Sequence, residues 1–196
     1  MRTTLPEFQA AGFPMGAEPL VALDLVDTQA LAAEPAVDLL ADDAQYARWW
    51  ALQADRLPAA AQPAPNAVRR LRSVLRELFD ARLTGRAPDP SAVEDLNATA
   101  ASVPTSPRLD GWGADAQVVR RWHDDYNGHP ALAAIAGEAI RLLADPQRLE
   151  SLRRCANPAC SMLFLAENKR RVWCTANLCG NRARVARHYE RTRGEA

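Results

Sequence analysis

All four cysteines of this chain lie within its last 42 residues, at Cys155, Cys160, Cys174 and Cys179. They form two pairs with four residues inside each pair and thirteen between the pairs. Unrelated buried thiols would scatter along a chain; here 154 residues precede the first one. Paired spacing of this kind suits a tetrahedral metal, because each pair clasps the ion from a tight turn and the insert lets the chain return. Asn157-Pro158 and Asn177 are turn-forming residues at the right places. Four thiolates close the coordination sphere and leave no position for substrate, so the expected role is structural.

Size points the same way. A unit of roughly 45 residues seldom buries enough apolar surface to fold unaided. A metal supplies the missing folding free energy, on the order of 10 kcal/mol for structural zinc. One zinc ion per chain is expected, with Phe164, Leu165, Val172, Trp173 and Leu178 forming a small core around it. An iron–sulfur cluster uses the same four-cysteine set, and spacing alone leaves that alternative open. Disulfides are disfavoured because nothing indicates export: the first sixteen residues, MRTTLPEFQAAGFPMG, contain no continuous apolar stretch of a secretory signal. No run approaches the roughly 20 apolar residues of a membrane span. A cytoplasmic protein without a membrane partner is the expectation.

The net charge of zero conceals a division. Residues 1–150 carry 14 Lys and Arg against 21 Asp and Glu, and residues 151–196 carry 10 against 3, so the segments stand at −7 and +7. That asymmetry predicts an acidic domain over 1–150, a basic one over 151–196, and a polyanionic partner for the second.

Upstream of the cysteines the pattern is helix-rich. The first fifteen or so residues lack periodicity and read as frayed or loosely docked. Leu20–Thr28 is a short apolar run, either buried strand or helix start. Asp42 or Asp43 caps a helix bearing Tyr46, Trp49 and Trp50 on one face, and Pro58–Pro65 reads as a linker. Asn66 caps a longer helix with a stripe of Val68, Leu71, Val74, Leu75, Leu78 and Leu83. Arg69, Arg70, Arg72, Arg76, Glu77 and Asp80 fill its other faces, and Gly85 ends it. Asp89-Pro90 opens another helix through Val93, Leu96 and Asn97. Residues 103–128 remain strand or helix, with Asp110-Gly111 a candidate hairpin turn. Leu132, Ile135, Ala136, Ala139, Ile140 and Leu143 mark a further helix, stopped by Asp145-Pro146. The expected fold class is α+β: a helix-rich N-terminal domain with a few strands, followed by a small four-cysteine zinc finger.

The run Arg171–Ala186 contains Cys179-Gly180-Asn181-Arg182 and resembles the signature of the CGNR zinc-finger family, named for those four residues. Cys155, Cys160 and Leu163-Phe164 fit the same pattern. Ala22–Thr28 resembles the start of the ABATE domain that usually precedes this finger, and departs from it at Asp27, where members commonly carry Asn. The resemblance implies a bacterial transcription-regulator-like protein with an α/β N-terminal domain and a DNA-binding finger. It assigns Gly180, Asn181 and Arg182 to the structural motif.

After Cys179 the chain is good helix material. At about 100° per residue, Arg184, Arg187, His188 and Arg191 share one arc. Val185 and Tyr189 fall on another side, with Arg182 near them, which predicts a packed face and a cationic solvent face. Lys169, Arg170 and Arg171 form a second basic cluster between the cysteine pairs. Together these seven cationic positions are the expected nucleic-acid-binding residues, through phosphates or guanine edges. Two plainer readings compete: cations that offset the −2 charge of a tetrathiolate zinc, and simple solvation. DNA is the expected partner. RNA, a second copy of the chain, a protein partner of a purely structural zinc module and a small-molecule effector stay open. No catalytic residues are expected, since no phosphate loop or nucleophile elbow occurs. His123-Asp124-Asp125 and His129 read as surface residues. Asp24, Asp27 and Thr28 read as capping or turn residues, with a ligand pocket as the alternative.

Overall fold

The computed structural model describes residues 3–123 and 128–194, the side chains at 188, 190 and 193 excepted. The fold is α+β and helix-rich. Its elements run α1 (Leu5–Ala10), α2 (Val21–Val26), β1 (Gln29–Ala30), β2 (Val37–Asp38), α3 (Asp43–Leu52), α4 (Pro65–Thr84), α5 (Pro90–Ala101) and β3 (Thr105–Asp110). They continue with β4 (Gln117–Trp122), α6 (Pro130–Leu143), α7 (Pro146–Leu149), β5 (Leu152–Arg154), β6 (Leu163–Leu165), a π-helical turn (Ala176–Gly180) and α8 (Asn181–Gly194). The strands form three antiparallel pairs, β1–β2, β3–β4 and β5–β6.

Local chemistry explains most of the boundaries. The Asp42 carboxylate accepts from the Ala44 and Gln45 amides at 3.0 Å, satisfying donors that the first turn of α3 cannot. α4 begins two residues earlier than an Asn66 cap would place it: Ala64 is the cap and Pro65 occupies the first helical position, where a missing N–H costs nothing. Gly85 ends α4 in the left-handed region at φ 69°, a conformation that strains a side chain with a Cβ. Leu20–Thr28 resolves as helix α2, and the uncertain segment after 103 as the β3–β4 ribbon, paired from Thr105↔Trp122 to Asp110↔Gln117.

One apolar core joins α2, α3, α4 and α6 around Leu23, Trp49, Leu75, Phe79 and Ile135. From residue 3 on, the first segment is docked rather than frayed. Phe8 and Phe13 are fully enclosed in that core, because they supply apolar area that α2 and α3 leave uncovered. The finger hairpin also enters it: Leu152, Leu163 and Leu165 belong to the same cluster as the helices.

Two arginines of α4 depart from the expected solvent faces. Arg72 and Arg76 are buried, because carboxylates and carbonyls from distant segments converge on them. Arg72 donates to Asp38 at 2.7 Å through both terminal nitrogens and to the Thr28 hydroxyl at 2.9 Å. Arg76 donates to the carbonyls of Ser161 and Val26 at 2.9 and 3.1 Å and sits 3.7 Å from Asp27.

Asp27 in turn accepts the Leu163 amide at 2.9 and 3.1 Å. Glu18 accepts the Leu165 amide at 3.3 Å and pairs with Arg171 at 2.8 Å. Asp24 is held by the Glu18 amide, Gln53 and Arg56. Asp27 is the C-cap of α2 and Thr28 follows it in the same turn, as expected, and Asp24 lies in the first turn of that helix; all three also hold partners far along the chain. Asp27 and Glu18 fasten β6 to the helices, Asp24 braces Glu18, and the Thr28 hydroxyl bonds the Leu25 carbonyl and Arg72. Burial pushes the carboxyls of Glu18, Asp24 and Asp27 above their ordinary range, Asp27 furthest; hydrogen bonds and neighbouring cations pull back.

Candidate metal centre

The cysteine pairs are placed by different devices. Cys155 follows β5, and its amide donates to the Met162 carbonyl at 2.9 Å, closing the first turn. Within that turn the Asn157 side chain accepts the Ala159 amide at 3.0 Å, and the Cys160 amide donates to the Asn157 carbonyl at 2.9 Å. In the second pair Cys174 precedes the π-helical turn and Cys179 lies within it; the Leu178 amide of that turn donates to the Thr175 hydroxyl at 3.3 Å. Gly180 is enclosed there: a Cβ would lie 3.3 Å from the Thr175 carbonyl and 3.5 Å from the Trp173 ring. A larger residue would push the turn that carries Cys179.

The four Sγ atoms lie within 4.8 Å of one another, and Cys160 and Cys174 are 3.9 Å apart. A tetrahedron with Zn–S bonds of about 2.3 Å has edges of about 3.8 Å, so the cluster matches a tetrathiolate zinc within small adjustments. None of the four is in a disulfide. The surroundings also favour thiolates. The Cys174 amide donates to Cys155 Sγ, and Asn157 Nδ2 donates to Cys179 Sγ, each at 3.4 Å. Among the bare thiols, the bond from Cys174 draws Cys160 down to about 5, while that same bond and burial push Cys174 up. Burial raises Cys155.

The finger's own core lacks three of the five residues expected in it, Leu165, Val172 and the half-buried Leu178. Phe164 and Met162 are buried against the cysteines with Trp173 at their edge, but Val172 is 45% exposed because it sits on the outer side of the connecting turn. Leu165 faces the helical core instead, since neighbouring strand residues point to opposite sides. Met15 fills the vacated position from the far end of the chain, and Gln9 bonds Asn177 across the same seam at 2.7 Å.

The basic residues divide into two groups. Arg171 turns inward: it pairs with Glu18, donates to the carbonyls of Leu165 and Cys174 at 3.0 and 2.8 Å, and lies 4.4 Å over the Phe164 ring. Lys169 and Arg170 stay exposed on the turn. In α8, Arg184, Arg187 and Arg191 are all exposed, and His188 lies outside the described side chains.

Among the described residues the side of α8 expected to pack is largely exposed. Val185 and Tyr189 are 46% and 67% exposed, and Arg182 is exposed with them. The helix leaves the finger from the π-helical turn, its main contact, and projects beyond the core that would have covered that face.

His123 and His129 hold structural positions. His129 caps α6, accepting the Ala131 amide at 3.2 Å, and its other ring nitrogen is 2.7 Å from the Ala61 carbonyl. His123 bonds Ser106 at 2.8 Å, and Asp124 and Asp125 lie outside the described residues. No described helix is long and apolar enough to cross a membrane.

Comparison with known proteins agrees with this geometry. Residues 20–146 match the ABATE family model, described as "Putative stress-induced transcription regulator", and residues 151–192 match the CGNR zinc finger. No curated protein matches the chain. Neither family description names an enzyme. The chain belongs to the ABATE family, and its four clustered cysteines hold one structural zinc ion in a CGNR zinc finger.

Proposed function

We propose that this protein is a DNA-binding regulator that contacts DNA through the outer face of α8, with the zinc fixing the base of that helix and the helical domain sensing a small ligand. The observation that carries the reading is the clustering of four exposed arginines on α8, in a segment of net charge +7. In the helical domain, Arg56, Arg69, Arg70, Arg72, Arg76 and Arg86 each hold a carboxylate, and Arg48, Arg82, Arg108, Arg120, Arg121, Arg141 and Arg148, which hold none among the described residues, are scattered over six elements. In α8, Arg182, Arg184, Arg187 and Arg191 pair with no carboxylate among the described residues, and all four are exposed.

Unpaired guanidiniums on a projecting helix suit a polyanion, and the major groove of DNA, about 12 Å wide, admits a single helix. Arg184 to Arg191 span seven residues, or about 10 Å of helix, enough for contacts to successive phosphates. Lys169 and Arg170 add charge from the neighbouring turn. Arg171 serves the finger's attachment instead. The −2 charge of the zinc site does not need the α8 cations, because amide and side-chain N–H groups already bond its sulfurs.

The test is fluorescence anisotropy of the zinc-loaded full chain on labelled duplex DNA across a salt series, with RNA as competitor. Affinity that falls steeply with salt and resists RNA competition supports the proposal. Preferential loss to RNA transfers it to RNA. No binding at low salt leaves zinc as a staple for a protein-interaction surface.

A further inference from the structure

A groove of about 430 Å³ opens between the C-terminal halves of α4 and α6, with α5 and α7 closing its sides. Its walls are apolar: Leu78 and Ala81 from α4, Leu96 from α5, Ile140 and Leu143 from α6, and Leu149 from α7. This volume is in the range of small-molecule sites, about 300–1,000 Å³.

The polar groups on the wall give the groove a chemical preference. Four of the five arginines of α4 hold acids: Arg69 and Arg72 hold Asp38, Arg70 holds Asp95, and Arg76 holds Asp27 and Asp80. Arg82 is the fifth. It lines the groove and has no carboxylate among the described residues, in a domain where acids outnumber bases 21 to 14. Arg86 also lines the groove, but Glu77 already engages it at 2.5 Å. Of the two lining guanidiniums one therefore remains without a carboxylate among the described residues, with the Asn97 amide of α5 as a neutral donor in the same lining.

We propose that this groove binds a small monocarboxylate with an apolar body, its head on Arg82 and its body against the leucines of α4, α5 and α6. A single free cation matches a singly charged head better than a phosphate ester or a dicarboxylate. Position gives the site a consequence. Leu149 forms part of its wall, and Leu152, three residues on, begins the finger hairpin inside the shared core. A bound ligand thus bears on the segment that delivers the chain to Cys155. The proposal deepens the ligand-sensing reading above and does not depend on α8 binding DNA.

Calorimetric titration of the zinc-loaded full chain, without DNA, with octanoate and separately with 1-octanol tests it. Octanoate should bind about tenfold or more tightly than octanol, the difference being a charge-assisted hydrogen bond. Arg82→Gln should bring octanoate down to the octanol level and leave octanol unchanged; Arg82 is exposed, so the substitution leaves the core intact. Ile140→Trp, checked for folding by circular dichroism, should abolish binding of both by filling the groove. Absence of octanoate binding at millimolar concentration overturns the proposal and leaves the groove to a macromolecular partner. Equal affinity for the two probes, or octanoate binding unchanged in Arg82→Gln, overturns the assignment of the head group to Arg82.

Discussion

Asp27 connects the finger to the helices through a single carboxylate, so two substitutions there separate the parts of that connection. Asp27→Ala removes the acceptor of the Leu163 amide, which sits on a residue with no solvent exposure. An unsatisfied buried donor costs about 1–3 kcal/mol. Arg76, 8% exposed, also loses its nearest buried counterion, although the carbonyls of Ser161 and Val26 and the Asp80 carboxylate remain to it. Relief from desolvating the Asp27 charge offsets part of this, and a net loss of about 2–4 kcal/mol is expected.

Asp27→Asn keeps an oxygen for the Leu163 amide and removes only the charge, so its cost near neutral pH should stay within about 1 kcal/mol. The pH dependence has a definite sign. Burial raises the Asp27 carboxyl, so the folded chain holds that proton more tightly than the unfolded chain. The contribution is complete below the ordinary carboxylate range and is lost as pH rises through the raised folded value. Asn should therefore gain on Asp as pH rises from about 4. Urea unfolding of the three proteins at fixed zinc concentration, together with hydrogen exchange at the Leu163 amide, measures both effects. Equal stability of the Ala and Asn variants, or an Asn variant that loses ground as pH rises, refutes this account of the connection.

Cys155→Ser or Cys174→Ser should abolish stoichiometric zinc by elemental analysis. Because Leu152, Leu163 and Leu165 share the helical core, the melting temperature of the whole chain should fall with it, whereas an independent finger would leave the main transition unmoved. Glu18→Gln and Arg171→Gln should show a coupling of about 1–2 kcal/mol in a double-mutant cycle of urea stability, and additive losses would mean the pair contributes nothing as a pair.

The metal centre was legible because its ligands are local in sequence and chemically unmistakable: four cysteines in two equally spaced pairs admit few arrangements. The α4 stripe from Val68 to Leu83 was legible for a similar reason, since periodicity is a local property. What stayed hidden depends on partners far along the chain. Arg72 and Arg76 look like solvent-face cations on a helical wheel, and only carboxylates and carbonyls from α2, β2 and the finger make their burial tolerable. The long-range bonds of Asp24 and Asp27, and the part played by Glu18, stay out of sight in the sequence for the same reason.

Phe8, Phe13 and Met15 belong to a segment too short to show a period, and they dock because the core and the finger each lack a side chain there. α8 erred the other way. Val185 and Tyr189 have the spacing of a buried face but stay exposed, and among the described elements the main contact of α8 is the turn it leaves. The free Arg82 could be found only after the partners of the other α4 arginines were known.

The central claim is that α8 presents its arginines to DNA. Its most direct test is the salt dependence of affinity for the zinc-loaded full chain and for the triple variant Arg184→Gln, Arg187→Gln, Arg191→Gln. Each phosphate contact contributes about 0.9 to the slope of log K against log salt on duplex DNA, so three lost contacts should flatten it by about 2.7. All three side chains are solvent-facing, so zinc content and melting temperature should hardly change. A slope flattened by that amount in a folded, zinc-replete protein is the predicted result; an unchanged slope with undiminished affinity contradicts the claim.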